Sequence, residues 1–192
     1  ADGSFYADIE VTAKSFPPKK SAPFPVNAPG LSHYLEESPY INVNDNEIRT
    51  LAKEITASET KAYEAARKIS KWVNANMKTQ LDIGVVRSAL EVLKSKRGVC
   101  RDYAILYAAL ARASGIPTRL AAGIVYMNGS FYYHVWAESY VGAWQAFDPT
   151  LDGDFVDATH VKLTQGETDS LFEMTKVIGG LRAEIKGFAH GG

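Results

Sequence analysis

Cysteine occurs once in this sequence, at Cys100, so no internal disulfide can form and cysteine usage sets no redox compartment. An excess of either charge is also missing: 21 Lys and Arg stand against 22 Asp and Glu. That balance argues against a nucleic-acid or polyanion partner, which usually leaves a basic stripe. No apolar run approaches the roughly 18 residues needed for a membrane span. The sequence begins with Ala1 and shows no signal peptide; a mature secreted form or an excised domain fits, and an extracytoplasmic location is slightly favoured. What is present is ordinary for a folded domain: 192 residues, 46% hydrophobic and 22% charged, enough to bury one core.

Residues 1–43 form the first unit. Within them "SFPPKKSAPFPVNAPG" removes backbone donors and fixes φ, so an extended arm lying on the domain is expected. "ADIEVTAK" before it reads as a possible edge strand. Residues 44–192 form the second unit, and four helices open it. The first has Asn44 as cap and Glu47 three residues on, and the second starts at Ser58. The third carries a capping box of Ser88 and Glu91 and stops at Gly98. The fourth runs from about Cys100 to "SGIP". After Pro117 the period changes to short aromatic and β-branched runs, "TRLAAGIVYM", "SFYYHVWAESYV" and "AWQAFDPTL". A short helix over 164–180 and a last strand "LRAEIKGF" complete the reading. Helices followed by strands imply an α+β domain.

The turns fix a register. Asn128-Gly129 is a type I′ signal, so Met127 pairs with Ser130 and His134 lies opposite Gly123. Small residues facing His134 leave room for another element to approach. A three-residue loop of Tyr140, Val141 and Gly142 then pairs Ser139 with Ala143 and sets His134 directly opposite Asp148. Facing side chains in an antiparallel pair are about 5 Å apart at Cβ, close enough for an imidazole and a carboxylate to bond.

A helix N-terminus favours a thiolate, and an imidazolium nearby favours it further. His134 would accept the Cys100 proton and later return it to a leaving group, while Asp148 holds the ring in the useful tautomer. The Cys100 amide, at its helix start, is a ready oxyanion donor. Each feature alone has a plainer reading. A lone Cys is commonly an inert hydrophobe, a His on an aromatic strand is commonly structural, and Asp-Pro commonly opens a turn. Their order and spacing together carry the inference. Asp102, in the first helical turn, complements the dipole there. Trp136 and Trp144 either cover the site or pack the core, and Tyr132, Tyr133 and Tyr140 are packing or groove walls. Asp152, Asp154, Asp157 and His160 gather in one stretch that reads as a solvated loop, not a metal site, because hard cations want tighter, regular ligand spacing.

The runs "GVCRDYAILYAALARASGIPTR", "HVWAE" and "WQAFDPT" resemble the transglutaminase-like superfamily, relatives of papain-type cysteine proteases. The resemblance covers about residues 44–163. It rests on Gly98, Cys100, Asp102, Gly115, Ile116, Pro117, Arg119, His134, Trp136, Trp144, Asp148, Pro149 and Thr150. It implies a papain-like core over 44–192, with the Cys-bearing helix packed on an antiparallel sheet. It also implies Cys100 as nucleophile, His134 as general base and acid, and Asp148 as the orienting carboxylate. Members usually add a second oxyanion donor from an upstream side chain, for which Trp72 and Gln80 are the candidates.

The resulting expectation is an acyl-transfer enzyme acting on amide or peptide bonds, with no cofactor and no metal. Its partner is a protein or peptide substrate, with an amine acceptor if the thioester is resolved by transfer. Hydrolysis is favoured over transamidation. Open alternatives are a non-catalytic binding module that keeps the fold, a protein-glutamine transglutaminase, and an arylamine N-acetyltransferase-like activity.

Overall fold

The computed structural model describes residues 6–81, 84–153, 156–169, 171 and 180–189. Four α-helices precede a four-stranded antiparallel sheet, giving an α+β fold. The helices are α1 (Asn46–Thr56), α2 (Ala62–Asn76), α3 (Ala89–Ser95) and α4 (Cys100–Ala113). Between them lie two short parallel strands, β1 (Lys78–Thr79) and β2 (Arg97–Gly98). The main sheet, in spatial order β5-β4-β3-β6, comprises β3 (Thr118–Met127), β4 (Ser130–Tyr140), β5 (Trp144–Phe147) and β6 (His160–Gly166). Among the described residues no helix is long and apolar enough to cross a membrane.

The helix starts follow side-chain chemistry, with small departures from expectation. Asp45, not Asn44, caps α1: its Oδ1 accepts from the Glu47 and Ile48 amides at 2.8 and 3.3 Å. The second helix begins at Ala62 and not at Ser58, because the arm claims the backbone between them. Phe24 N–H donates to Thr60 O and Ala62 N–H to Ala22 O, both at 3.0 Å, holding Lys61 extended opposite Pro23. The Ser88–Glu91 capping box is present. Its helix ends earlier than expected, on Lys96 in the left-handed conformation (φ 51°), which frees Arg97 and Gly98 to pair in parallel with Lys78 and Thr79.

The helix α4 is buried along nearly its whole length, from Asp102 to Arg112. A chain of buried hydroxyls seats it on the sheet: Tyr107 Oη meets Ser139 Oγ at 2.9 Å, and Ser139 Oγ meets Thr118 Oγ1 at 2.8 Å. Leu120, Ala122, Val135 and Ala137 join the core with α4. Their alternate neighbours, including Gly123, His134 and Trp136, therefore face the other side.

The arm carries two 3-10 turns, Pro18–Lys20 and Pro29–Leu35. "ADIEVTAK" forms no strand. Besides the bonds to Thr60 and Ala62, Ala22 N–H donates to Val141 O at 2.7 Å and Val26 N–H to Gly115 O at 3.0 Å. At the other end, β6 occupies the stretch to Gly166 where a helix was expected. Thr168, Asp169 and Leu171 are helical, while 170 and 172–179 lie outside the described residues. Residues 181–188 form no strand either: β6 already fills the place beside β3.

Candidate active site

Cys100 is the first residue of α4 and is half-buried. The turn before it has a specific construction. Asp102 is fully buried, and its Oδ2 accepts the Val99 amide at 2.9 Å and faces the Arg87 guanidinium at 3.2 Å. Curling that carboxylate back leaves no room at Gly98, where a Cβ would sit 2.5 Å from the Asp102 Cβ and 2.6 Å from its Oδ2. The spacing Gly98-x-Cys100-x-Asp102 thus sets the entry angle of the helix and, with it, the direction of the thiol. The Asp102 Oδ1 is buried without a partner, a cost the turn carries.

The β3–β4 hairpin has the expected register, Met127 with Ser130, Gly123 with His134 and Ala121 with Trp136. Asn128 and Gly129 both take positive φ, 51° and 84°, as a type I′ turn requires. The next loop does not follow expectation. Tyr140 pairs with Trp144 and Ser139 with Gln145, so the loop is Val141, Gly142 and Ala143. Gly142 (φ 116°) is packed against the arm, where a Cβ would lie 2.6 Å from Lys20 O. The register is therefore shifted by two residues, and His134 is not directly opposite Asp148. A shift of two preserves the face, because side chains alternate with period two. The pair meets diagonally instead: His134 Nε2 lies 2.6 Å from Asp148 Oδ2. The β4–β5 ladder ends at Ala137–Phe147, which leaves the His134 stretch of β4 open on that side.

The Asp148 carboxylate is saturated. Oδ1 accepts from the Thr150 amide at 2.9 Å and the Thr150 hydroxyl at 2.7 Å. Oδ2 accepts from His134 and from His160 Nε2 at 3.2 Å. Between Asp148 and Thr150, the Pro149 carbonyl takes the Asn74 amide of α2 at 3.0 Å. Burial works to raise the Asp148 pKa, but the bonds from His134 and His160, the His134 charge and the Thr150 bond outweigh it and hold the acid well below its usual range. Burial likewise works to lower His134. The Asp148 and Cys100 hydrogen bonds, then the charges of the same two groups, overcome it and push the ring up to about 10. With Nε2 committed to Asp148, Nδ1 is the nitrogen left to face the sulfur. Tyr133 also neighbours the thiol: burial first, and the Cys100 charge second, push its phenol up to about 12.

The structure thus brings Cys100, His134 and Asp148 together. Gln80 lies near this turn, its backbone N–H donating to Gly98 O at 3.0 Å. Trp72 lies elsewhere, lining an open groove of about 540 Å³ between α1, α2 and α3 with Lys96 over its ring at 5.9 Å. Trp136 is 2% exposed and packs against both imidazoles, stacked on His134 at 6.2 Å and edge-on to His160 at 5.4 Å. Trp144 sits instead with Tyr34, Tyr140 and Arg119.

His160 corrects the solvated-loop expectation. Its side chain is 4% exposed at the start of β6, and, of the described acidic residues in that stretch, Asp157 approaches it, at 3.5 Å. Asp154 lies outside the described residues. The alternation in "HVKLTQG" was the available signal for this strand. His134, Asp148 and His160 offer ligand atoms within 4.8 Å of one another. The 2.6 Å bond between two of them is shorter than the spacing of neighbouring ligands around a 2.0–2.1 Å metal, so the cluster fits hydrogen bonding better than an ion.

Comparison with known proteins agrees with this architecture. The chain is similar to a Cytophaga hutchinsonii protein named as a candidate cysteine protease, with 26% identity, a TM-score of 0.63, and coverage of 73% of this chain and 48% of that one. It also shares its fold with the periplasmic domain of TgpA from Pseudomonas aeruginosa, at 22% identity and a TM-score of 0.51, over 66% of this chain and 49% of that one. An uncharacterized Mycobacterium leprae protein, ML0607, is 32% identical over 82 residues, spanning 38% of this chain and 29% of the relative. The chain thus spans about half, or less, of the proteins it matches. The family model of the transglutaminase-like superfamily matches residues 49–149, more than half of the sequence, and takes in the Cys100 turn, the His134 strand and Asp148. The chain belongs to the transglutaminase-like superfamily.

Proposed function

We propose that residues 44–192 are a cysteine-dependent acyl-transfer domain that cleaves amide or peptide bonds, with residues 1–43 as an arm laid on it. The observation that carries this reading is the line of groups Cys100, His134 and Asp148, with the imidazole bound to the acid at 2.6 Å. A carboxylate oxygen only accepts, so His134 Nε2 carries a proton, and Nδ1, facing the sulfur, holds the proton taken from the thiol, as the raised ring pKa favours. Cys100 then attacks the carbonyl carbon, the tetrahedral oxyanion forms, and His134 returns the proton to the departing amine as the thioester forms. Water, activated by the same ring, resolves the thioester and restores the thiol. The Cys100 amide belongs to a first helical turn, whose N–H groups lack intrahelical partners, and so offers one oxyanion donor. Gln80 is the better candidate for the second, because its backbone is anchored two residues before Cys100, whereas Trp72 lines the groove between α1, α2 and α3.

Hydrolysis is favoured over transfer to an amine, a preference supported by the name given to the Cytophaga hutchinsonii protein. The test is incubation of the protein with a glutamine-containing polypeptide and a primary amine, read by mass spectrometry. Cleavage fragments that vanish in Cys100→Ala are expected. Amine incorporation without cleavage would reverse the assignment to transamidation, and neither product from a broad peptide library would remove it.

A further inference from the structure

We propose that His160 is a positioning residue, which locks the Asp148 carboxylate in the orientation that His134 requires. The inference deepens the acyl-transfer reading and rests on it. A carboxylate turns easily about its terminal torsion, which is broad and two-fold. Here Thr150 ties Oδ1 and two imidazoles share Oδ2, so rotation would break bonds on both oxygens. Because Oδ2 only accepts, His160 Nε2 must carry its proton. The other nitrogen, Nδ1, lies 3.3 Å from Thr159 Oγ1 and 3.5 Å from Asp157 Oδ1, which orient the ring from behind.

The fold places this ring by a local irregularity. Leu120, Ala121 and Ala122 of β3 pair with Gly166, Gln165 and Thr164 of β6, but Gly123 pairs with Lys162. Leu163 is the extra residue of a bulge. Without it the register would set His160 opposite Tyr126, on the α4 side of the sheet, and not opposite Val125. A one-residue shift exchanges the faces. The bulge thus turns His160 onto the face of His134 and Trp136. Gly123 permits it, since a Cβ there would lie 2.0 Å from Val161 O. The room left by the small residue facing His134 is filled by the β6 backbone that delivers the second imidazole.

The test compares His160→Leu, which keeps bulk and loses the donor, with His160→Gln, which keeps an N–H at similar reach. Two readouts need no substrate: the Nε2-bound proton of His134 in imidazole NMR, and the rate of Cys100 alkylation by iodoacetamide at pH 6. The proton is expected to be protected from exchange in the native protein and in His160→Gln. In His160→Leu it is expected to be lost, with alkylation roughly tenfold slower, the effect of removing one charge-assisted bond. Full protection and native alkylation in folded His160→Leu would overturn the proposal, as would loss of both in folded His160→Gln, which decides the matter alone if the Leu variant does not fold. A native Cys100 that alkylates like a free thiol, with the His134 proton still protected only when residue 160 donates, would sink the acyl-transfer reading while upholding the placement role of His160.

Discussion

At Asp148 two carboxylate oxygens meet four donors, and this saturation lets a buried acid stay charged beside a buried imidazole. Asp148→Asn removes the charge that holds His134 protonated. The His134 pKa is expected to fall from about 10 toward its ordinary 6.5, and turnover to drop by about 10²–10⁴-fold, as in triads that lose the orienting acid. An NMR titration of the ring and the rate of peptide cleavage check the two effects. The same shifts set a stability window. His134 binds its proton more tightly when folded, so its contribution is complete below about pH 6.5 and is lost as pH rises toward 10. Asp148 binds its proton less tightly when folded, so its contribution is present above its ordinary 3.8 and is lost as pH falls below that. The melting-temperature gap between native protein and Asp148→Asn should therefore be widest between about pH 4 and 6.5 and narrow on both sides; a gap that does not vary with pH would contradict the coupling.

Two elements aim the clustered side chains, and a glycine permits each. Gly98→Ala drives a Cβ into the Asp102 side chain that closes the α4 entry turn. An overpacking cost of about 1–3 kcal/mol is expected, read as a lower denaturation midpoint, together with slower Cys100 alkylation because the turn and the thiol share a backbone. Gly123→Ala meets backbone, at 2.0 Å, and should separate β6 from β3. Amide exchange along Val161 and Lys162 should rise while α4 stays protected; unchanged protection of β6 would contradict the tight approach. The β3–β4 register was legible because Asn128-Gly129 dictates its own turn. The β4–β5 register was not, since Gly142 is held by Lys20, a contact between distant parts of the chain that no local pattern encodes. The predicted meeting of His134 and Asp148 survived that error only through the two-residue period of the strand.

Across the whole molecule, the arm is a structural strap. Ala22, Phe24 and Val26 bond to Val141, Thr60 and Gly115, three separate parts of the domain. Deleting residues through Lys14 should leave the melting temperature nearly unchanged, whereas deletion through Val26 should lower it sharply; equal effects would show that the strap bonds carry no weight. The α+β order, the start of α4 and the nearness of His134 to Asp148 could be read from the sequence, because capping, turn chemistry and periodicity are local; the place of Cys100 beside them rested on the family resemblance. The bulge at Leu163, the burial of His160 and the start of α2 depend on pairing between distant segments and could not. The most direct test of the central claim is the pH dependence of Cys100 alkylation by iodoacetamide in native protein and in His134→Ala. Rapid alkylation at mildly acidic pH that collapses in the variant is expected. Reactivity confined to alkaline pH, as for an ordinary thiol with a pKa of about 8.5, and indifferent to His134, would contradict it.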